Sequence, residues 1–517
     1  MRTAVLAAWA AMRGVVDRIL GRFTAILVIA ALLWLIVVAA LVFMLVGALP
    51  FDPLAGVVSL LVAVAATLAG AFAAGAAMRA RPETESVLVS ALLVFLLFTP
   101  RLEAPDLIAV AVAGLIAGAS RFLVARLGRH VFNPAALGAL VVGIVAAILS
   151  ATGSDALALP TWWVATPPLL PFVAVGALIV AYRSSVLLPV VAYVVVAAAV
   201  RLVQFTGFGM PLDLSLGTAF GSLPIVFAAG FMLSEPQTLP GRWWQRLIVA
   251  AVAAAVASVP FSIGPVGSTP ELGLVLANAI AFAFGLRRLV RLEVVAATPL
   301  GERTVELRLR PESPVRHLAG QAVEVAVPHR PRDLRGRRRV FSIVSAPGAD
   351  ELRLAFTVPV HPSSAKTALA ALQPGDELTA TRVVGDFVAP GLDTEALLVA
   401  GGIGITPFLA MIAARDPRAD YVLVYRSGEE SPPFLDELRR SGVPVILSCP
   451  VAPEPLPEGW AWLGPGRFSA ESLADALPDL PGRIAYVSGP PAMVAELSAG
   501  LRRVGVRRVR RDVFSGA

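Results

Sequence analysis

The chain has 517 residues, 57% of them hydrophobic, with a mean hydropathy of +0.77, a balance that excludes an ordinary soluble globular protein and places much of the chain in lipid. The formal charge of +7 comes almost entirely from arginine, Lys366 being the only lysine; without basic–aromatic interleaving it reads as loop charge on a membrane protein, with no nucleic-acid partner. One cysteine, Cys449, excludes an internal disulfide, an iron–sulfur cluster and a structural zinc site.

Four histidines are present, and only His130 lies in the apolar half. Paired axial ligands for a stack of b-type haems are therefore missing from this chain. Flavin, quinone or a partner protein remain as electron carriers. Residues 1–22 carry Arg2, Arg13, Arg18 and Arg22 among apolar residues, without a compact apolar core ending in a small-residue cleavage site. This segment is expected to be a basic amphipathic helix on the inner membrane face rather than a removed signal peptide.

Apolar stretches recur at about 24–47, 55–78, 85–99, 104–119, 134–151, 168–182, 185–200, 216–233, 247–262 and 270–286, which predicts ten spans within a membrane domain of residues 23–288. From an inside N-terminus, the inner loops and the end of the last span hold Arg79, Arg81, Arg121, Arg126, Arg129, Arg183, Arg242, Arg246, Arg287, Arg288 and Arg291, whereas the outer loops hold only Arg101 and Arg201. Both termini are thus expected in the cytoplasm of a multi-pass cell-membrane protein, with loop 152–167 facing outward.

From about 292 charged residues become frequent and alternation such as Thr304-Val305-Glu306-Leu307-Arg308-Leu309 predicts a β-strand. Strand-like runs fill 292–392. Residues 393–517 alternate short buried strands (Ala396–Ala400, Tyr421–Tyr425, Val443–Leu447, Ile484–Val487) with helical segments. The expected fold class is a polytopic α-helical membrane domain, then an antiparallel β-barrel domain at 292–392, then a parallel α/β domain at 393–517.

Leu397–Pro407 runs from a buried strand through Gly401, Gly402 and Gly404 to Thr406 and a helix start, where backbone N–H groups can meet a pyrophosphate. With Arg339-Val340-Phe341-Ser342, His361–Lys366, Gly385-Asp386-Phe387, Pro432–Leu438, Ser488–Met493 and Asp512–Gly516, this turn makes residues 292–517 resemble the ferredoxin–NADP reductase family. The resemblance implies that Phe341 stacks on the isoalloxazine of FAD, Ser342 addresses its N5 edge and Arg339 holds its pyrophosphate. Ser363 and Ser364 fall where the family's FAD phosphates meet hydroxyls and backbone donors. Ser488, Gly489 and Pro490 border the nicotinamide, with serine in place of the usual cysteine, and Ser342, Ser488 and Phe514 are the implied catalytic set. Arg426 ends the second α/β strand, where an arginine accepts a 2′-phosphate, but Glu429 and Glu430 follow it, so both NADH and NADPH remain open.

Arg129-His130-Val131-Phe132-Asn133-Pro134 at a span entrance and Phe231–Arg242 downstream resemble motifs of the membrane-embedded flavoproteins of the Rnf complex and of the sodium-pumping NADH:quinone reductase, over about 24–288. That resemblance implies FMN, attached through a threonine that corresponds by order to Thr166, with a flavinyl transferase as a possible partner. Thr166 alternatively reads as a helix N-cap before Pro167. Trp162 and Trp163 read as interfacial anchors or as rings covering the flavin. His130, Asn133 and Thr238 are further cofactor candidates, His130 also reading as an interfacial structural residue or a proton relay. Asp155, Asp213, Glu235 and Glu271 fall at loops or span ends, so ion pumping by this chain alone is not expected.

The leading expectation is an enzyme moving electrons from NAD(P)H through FAD to a membrane FMN, and on to a quinone or extracytosolic acceptor. A haem-type ferric-reductase-like enzyme is a second reading, disfavoured by the missing histidines. A membrane scaffold or transport protein, whose reductase domain serves a soluble partner, is a third.

Overall fold

A computed structural model describes residues 23–78, 82–126, 129–235, 238–284, 289–329, 337–391, 393–466 and 468–514, without the side chains of Arg126, Arg129 and His130. The basic N-terminal segment 1–22 and the His130 side chain lie outside the described residues. The chain divides into two compact units, Met1–Arg288 and Leu289–Ala517.

The first unit is helical. Its elements are α1 (Ala25–Leu45), α2 (Pro53–Ala77), α3 (Thr84–Leu97), α4 (Ala104–Leu123), α5 (Pro134–Ala151), α6 (Leu170–Arg183), α7 (Leu187–Gly207), α8 (Leu212–Gly221), α9 (Ile225–Leu233), α10 (Trp243–Ser258) and α11 (Pro270–Phe284). Five of these, α1, α2, α4, α5 and α7, are long and apolar enough to cross a membrane, six if the pair α8 and α9, bent by 48°, counts as one span. Ten spans by length alone are not found among the described residues. The other stretches hold helices of 14, 14, 16 and 15 residues, and the first of these, at 1.5 Å per residue, covers only about 21 Å of a hydrocarbon core of about 30 Å. Large apolar side chains such as Trp34, Leu35, Val38, Leu61 and Val203 point outward from the long helices, a surface that suits lipid and not water.

Two short segments are enclosed instead. Residues 90–98 in and after α3, and 227–234 in and after α9, are buried throughout. The packing partners repeat: α3 lies against α1, α2 and α5 as α9 lies against α6, α7 and α11, while α2 on α4 and α4 on α5 recur as α7 on α10 and α10 on α11. Close approach of α2 and α4 depends on glycine, because a Cβ at Gly70 would strike the Leu115 carbonyl and one at Gly118 the Thr67 carbonyl. The last carbonyls of α10 are capped from α7, where Arg201 donates to Ala257 O at 3.0 Å and Gln204 to Ser258 O at 2.9 Å.

The second unit opens with β1 (Val290–Pro299), β2 (Thr304–Pro311), β3 (Ala322–Ala326), β4 (Arg338–Ser342), β5 (Leu352–Thr357), α12 (Ser364–Ala370) and β6 (Glu377–Val384). Alternation decides the inner face: Val290, Leu292 and Val294 are buried while Arg291 and Glu293 between them are exposed. The strands form one antiparallel sheet in the order β4-β3-β6-β1-β2-β5. Its end strands meet at the single bridge Ile343–Leu354, so the expected closed barrel is a curled sheet without a closing ladder among the described residues.

Then follow β7 (Glu395–Gly401), α13 (Thr406–Ala413), β8 (Asp420–Arg426), α14 (Leu435–Ser441), β9 (Val445–Ser448), β10 (Trp460–Trp462), α15 (Ala470–Ala476), β11 (Ile484–Gly489), α16 (Pro491–Arg503) and β12 (Val509–Val513). All neighbours are parallel, in the order β10-β9-β8-β7-β11-β12. Helices on both faces explain why β7, β8 and β11 read as continuous apolar runs. Phe387 joins this half to the curled sheet, packing on Phe408 and Tyr486 with ring centroids 5.6 and 5.3 Å apart.

Candidate functional site

The glycine turn sits at the C-terminal edge of the parallel sheet. β7 ends at Gly401, a 3-10 turn spans Gly402–Ile405, and α13 begins at Thr406. Gly402 has φ +54°, and a Cβ at Gly404 would strike the Ser488 carbonyl, so glycine is required for the turn to pass the end of β11. Thr406 turns its hydroxyl back to the Ile403 carbonyl at 2.9 Å, which makes it a brace of the turn.

A cleft of about 470 Å³ opens over this turn, lined among others by Gly401, Gly402, Arg426, Phe468, Pro490 and Met493. The Arg426 guanidinium forms no hydrogen bond or ion pair with the described residues. Glu429 is engaged elsewhere, accepting from the Glu302 amide at 3.0 Å and the Thr304 hydroxyl at 3.2 Å, while Glu430 is exposed. The cleft therefore presents the arginine rather than the acids.

Ser488 is fully buried, and its hydroxyl has no hydrogen-bond partner among the described residues. The Phe514 amide donates to Gly489 O at 3.0 Å, which pins the chain's last described residue beside the Ser488-Gly489-Pro490 turn. Across the ladder from Ser488 stands Asp512, which opens the Asp512–Gly516 motif but has no role assignable from sequence. Burial pushes its carboxyl up to about 6.

On the curled sheet, alternation puts Arg339 and Phe341 on one face of β4. Phe341 is half-buried with its ring 5.9 Å from Phe356, and Ser342 is buried at the strand end. Arg339 donates to the Arg338 carbonyl at 2.8 Å. Ser363 caps α12, accepting from the Lys366 amide at 3.4 Å, with Ser364 opening the helix.

In the helical unit the sequence-predicted residues separate into two places. Asn133 is buried where α5, α9 and α11 meet: its Oδ1 accepts from Ala136 N at 3.1 Å, its amide donates to Asn278 Oδ1 at 2.8 Å and its Nδ2 to Met232 O at 3.4 Å. Thr238 donates to Glu235 O at 3.3 Å. These contacts brace helix ends. Loop 152–167 begins at the other end of α5, 18 residues or roughly 27 Å along its axis.

Trp162 and Trp163 in this loop are not interfacial anchors, since each is only 4% exposed. Trp162 donates to Glu271 Oε2 at 2.9 Å and Trp163 to Phe95 O at 2.8 Å. Their rings lie edge-on to Phe227 at 6.3 Å and to Phe51 and Phe95 at 5.4 and 5.3 Å. Phe227 in turn stacks on Phe231 at 5.3 Å. The Thr166 hydroxyl is buried without a hydrogen-bond partner among the described residues, and it caps no helix. Glu271 has the sequence position of a span-end residue, yet it is 3% exposed; no local pattern reveals a pairing 109 residues away.

The chain matches no protein-family model. It is 27% identical over 182 residues to the flavohemoprotein of Pseudomonas aeruginosa, covering 33% of this chain and 44% of that protein, so it spans less than half the length of this curated relative. Among solved structures it is similar to the flavohem-like FAD/NAD-binding domain of nitric oxide dioxygenase from Vibrio cholerae O1 biovar El Tor, at 17% identity over 44% of this chain and 98% of that one, with a TM-score of 0.37. A ferredoxin NADP+ reductase from Neisseria gonorrhoeae with bound FAD and NADP is similar at 17% identity over 44% of this chain and 99% of that one, also with a TM-score of 0.37.

Proposed function

We propose that the chain is a membrane-bound, NAD(P)H-dependent flavin oxidoreductase, in which residues 292–392 bind FAD, 393–517 bind the nicotinamide nucleotide and 23–288 carry electrons onward through FMN to a quinone or extracytosolic acceptor. The carrying observation is the cleft that gathers Gly401, Gly402, Arg426 and Pro490, with the Gly489–Phe514 bond at its edge. The flavohemoprotein relative supports the same reading for the soluble unit.

Each group has a task there. The glycine turn leaves backbone donors open to a pyrophosphate at the start of α13. Arg426 supplies a charge that a 2′-phosphate would complete, which favours NADPH. Ser488 and Phe514 border the nicotinamide, and Arg339 and Phe341 would hold the pyrophosphate and ring of FAD. When bound, that flavin supplies the conversion of hydride transfer into single-electron steps.

In the helical unit Thr166 offers a buried, unpartnered hydroxyl to FMN, whether bound covalently with the help of a flavinyl transferase or not. The recurring five-helix packing supports all ten helical segments lying within the bilayer, with the short α3 and α9 as enclosed segments. The arginine asymmetry supports both termini on the cytoplasmic side of the cell membrane.

The test is flavin extraction from the purified full chain, with wild type and Arg339→Ala compared. Wild type is expected to release FAD and to reduce ferricyanide with NAD(P)H, and the variant to lose most of both. A wild-type chain without FAD, or a variant with full FAD occupancy, overturns the assignment.

A further inference from the structure

Burying a carboxylate inside an apolar bundle is costly, and such groups in membrane segments are tied to function more often than to stability. Glu271, in the first turn of α11, is 3% exposed. Its Oε2 takes the indole N–H of Trp162 at 2.9 Å, Thr269 also hydrogen-bonds the carboxylate, and its Oε1 lies near Gly143. No arginine or lysine is paired with it among the described residues.

Trp162 itself is held unusually, at φ +55°, a conformation uncommon for a bulky residue. Its carbonyl accepts from the Ala165 amide at 2.9 Å, a turn that sets Thr166 one residue beyond. The loop thus carries an orphan hydroxyl at Thr166 and, four residues earlier in the chain, the indole that holds a buried acid.

Two buried carboxylates adjoin this loop, Glu271 and Asp106 in the first turn of α4, where the Pro105 carbonyl accepts from Ala158 N at 3.3 Å; of the two, Glu271 is the one hydrogen-bonded to a loop side chain. α5 and α9 contribute no ionisable side chain, and α10 only Arg246 in its first turn, whereas α11 lies beside the other end of α10 at Ala253 and Ala257. From α7, Tyr193 lies within electrostatic reach of Glu271, while Arg201, within reach of Tyr193, is committed to Ala257 O and Gln204.

We propose that Glu271, oriented by Trp162, carries protons to the acceptor reduced at the Trp162–Thr166 loop, and that this acceptor is of the quinone class. The inference rests on the reading that the helical unit passes electrons to an acceptor. Overall, NAD(P)H + H⁺ + quinone gives NAD(P)⁺ + quinol. Two electrons reach the quinone, each carbonyl oxygen gains a proton, and for each the Glu271 O–H bond breaks as a quinol O–H bond forms. A proton from solvent at the loop restores the Glu271 O–H bond after each transfer, and the proton left when the NAD(P)H hydride is divided into two electrons is released to solvent, so that one proton is consumed net. A one-electron acceptor that takes no proton would have no use for this group.

The experiment uses the full chain in liposomes, with ferricyanide reporting electron arrival at FAD and a short-chain quinone reporting the membrane step, from pH 5.5 to 9. Glu271→Gln is expected to keep the ferricyanide rate and lose at least tenfold in quinone reduction. Glu271→Asp should recover part of that loss with a displaced pH profile. Should the glutamine variant lose its flavin, Trp162→Phe serves instead, and a several-fold drop in quinone rate at constant ferricyanide rate is expected. A Glu271→Gln or Trp162→Phe chain with the wild-type quinone rate and pH profile overturns the inference alone. A wild-type chain that reduces ferricyanide but no quinone overturns the underlying acceptor reading, and the inference with it.

Discussion

Arg353 on β5 and Glu437 on α14 form a two-pronged pair that ties the curled sheet to the parallel sheet, with Nη1–Oε1 at 3.0 Å and Nη2–Oε2 at 2.6 Å. The same guanidinium donates through Nε to Glu306 at 2.8 Å on β2. One arginine thus neutralises a carboxylate on a strand of the curled sheet and one on a helix of the parallel α/β half. Burial pushes Glu306 above the usual carboxylate range even with Arg353 beside it.

Removing that arginine should therefore cost more than a surface pair. With the guanidinium only partly exposed, Arg353→Ala is expected to destabilise the unit by about 2 kcal/mol, below the range for fully buried pairs. The stranded Glu306 has a folded pKa above its unfolded one, so its protonation supports folding at low pH and that support is lost as pH rises through the folded value. Thermal release of flavin fluorescence should show a Tm lowered by roughly 4–8 °C, with the deficit widening from pH 5 to 8. An unchanged Tm would mean that the two sheets hold together without this pair.

Asp512 gives a pH dependence of its own. Its carboxyl is raised to about 6 by burial, so below that value it is protonated beside the Ser488 turn and above it charged. The sign follows: the folded protein holds this proton more tightly than the unfolded chain, so stability from this group is present below about 4, the ordinary aspartate value, and is lost as pH rises through about 6. The ferricyanide reductase rate of the wild type is expected to inflect near pH 6. In Asp512→Asn that inflection should vanish; its persistence would assign it to another group.

Arg426 decides the nucleotide if the cleft works as its lining indicates. A charge-assisted contact to a 2′-phosphate contributes about 1.5–3 kcal/mol, so Arg426→Ala should raise KM for NADPH by roughly ten- to a hundredfold. KM for NADH should stay within about twofold, since no 2′-phosphate is present to lose the contact. Equal effects on both nucleotides would show that the arginine serves the fold instead.

The sequence is most legible where local chemistry decides the structure. Gly401, Gly402 and Gly404 mark the strand-to-helix turn because a Cβ would strike Met493 at Gly401 and Ser488 at Gly404 and φ is positive at Gly402, and the apolar residues Leu307 and Leu309 on either side of exposed Arg308 mark β2 because their face of the sheet is buried. It is least legible where two different surroundings select the same residues. The apolar runs of α3 and α9 look like spans because protein interior and lipid both select apolar side chains, and only the structure shows that they are enclosed. Trp162 and Trp163 look like interfacial anchors because the partners that satisfy their N–H groups, Glu271 and Phe95, lie far away in the chain. Asp512 facing Ser488 depends on the parallel register of β11 and β12, which no local pattern announces.

Thr166 is the residue at which the proposed FMN of the helical unit can be tested as covalent or reversible. Its hydroxyl is buried without a partner among the described residues, which is costly unless a ligand completes it, and the α6 N-terminus makes no use of it. A phosphodiester at this oxygen would remove the orphan donor and fix FMN beside the strained Trp162 turn. The wild-type band is then expected to fluoresce under ultraviolet light after denaturing electrophoresis, and the Thr166→Ala band to be dark. Replacement by alanine removes one oxygen and leaves the neighbouring Trp162–Glu271 bond intact, so FAD content and ferricyanide reduction should match wild type while the membrane step fails. If both bands are dark but native wild type yields FMN on extraction and Thr166→Ala does not, the flavin is bound through the hydroxyl without a covalent link. If FMN content is the same in both chains, the flavin site of the helical unit lies away from this loop.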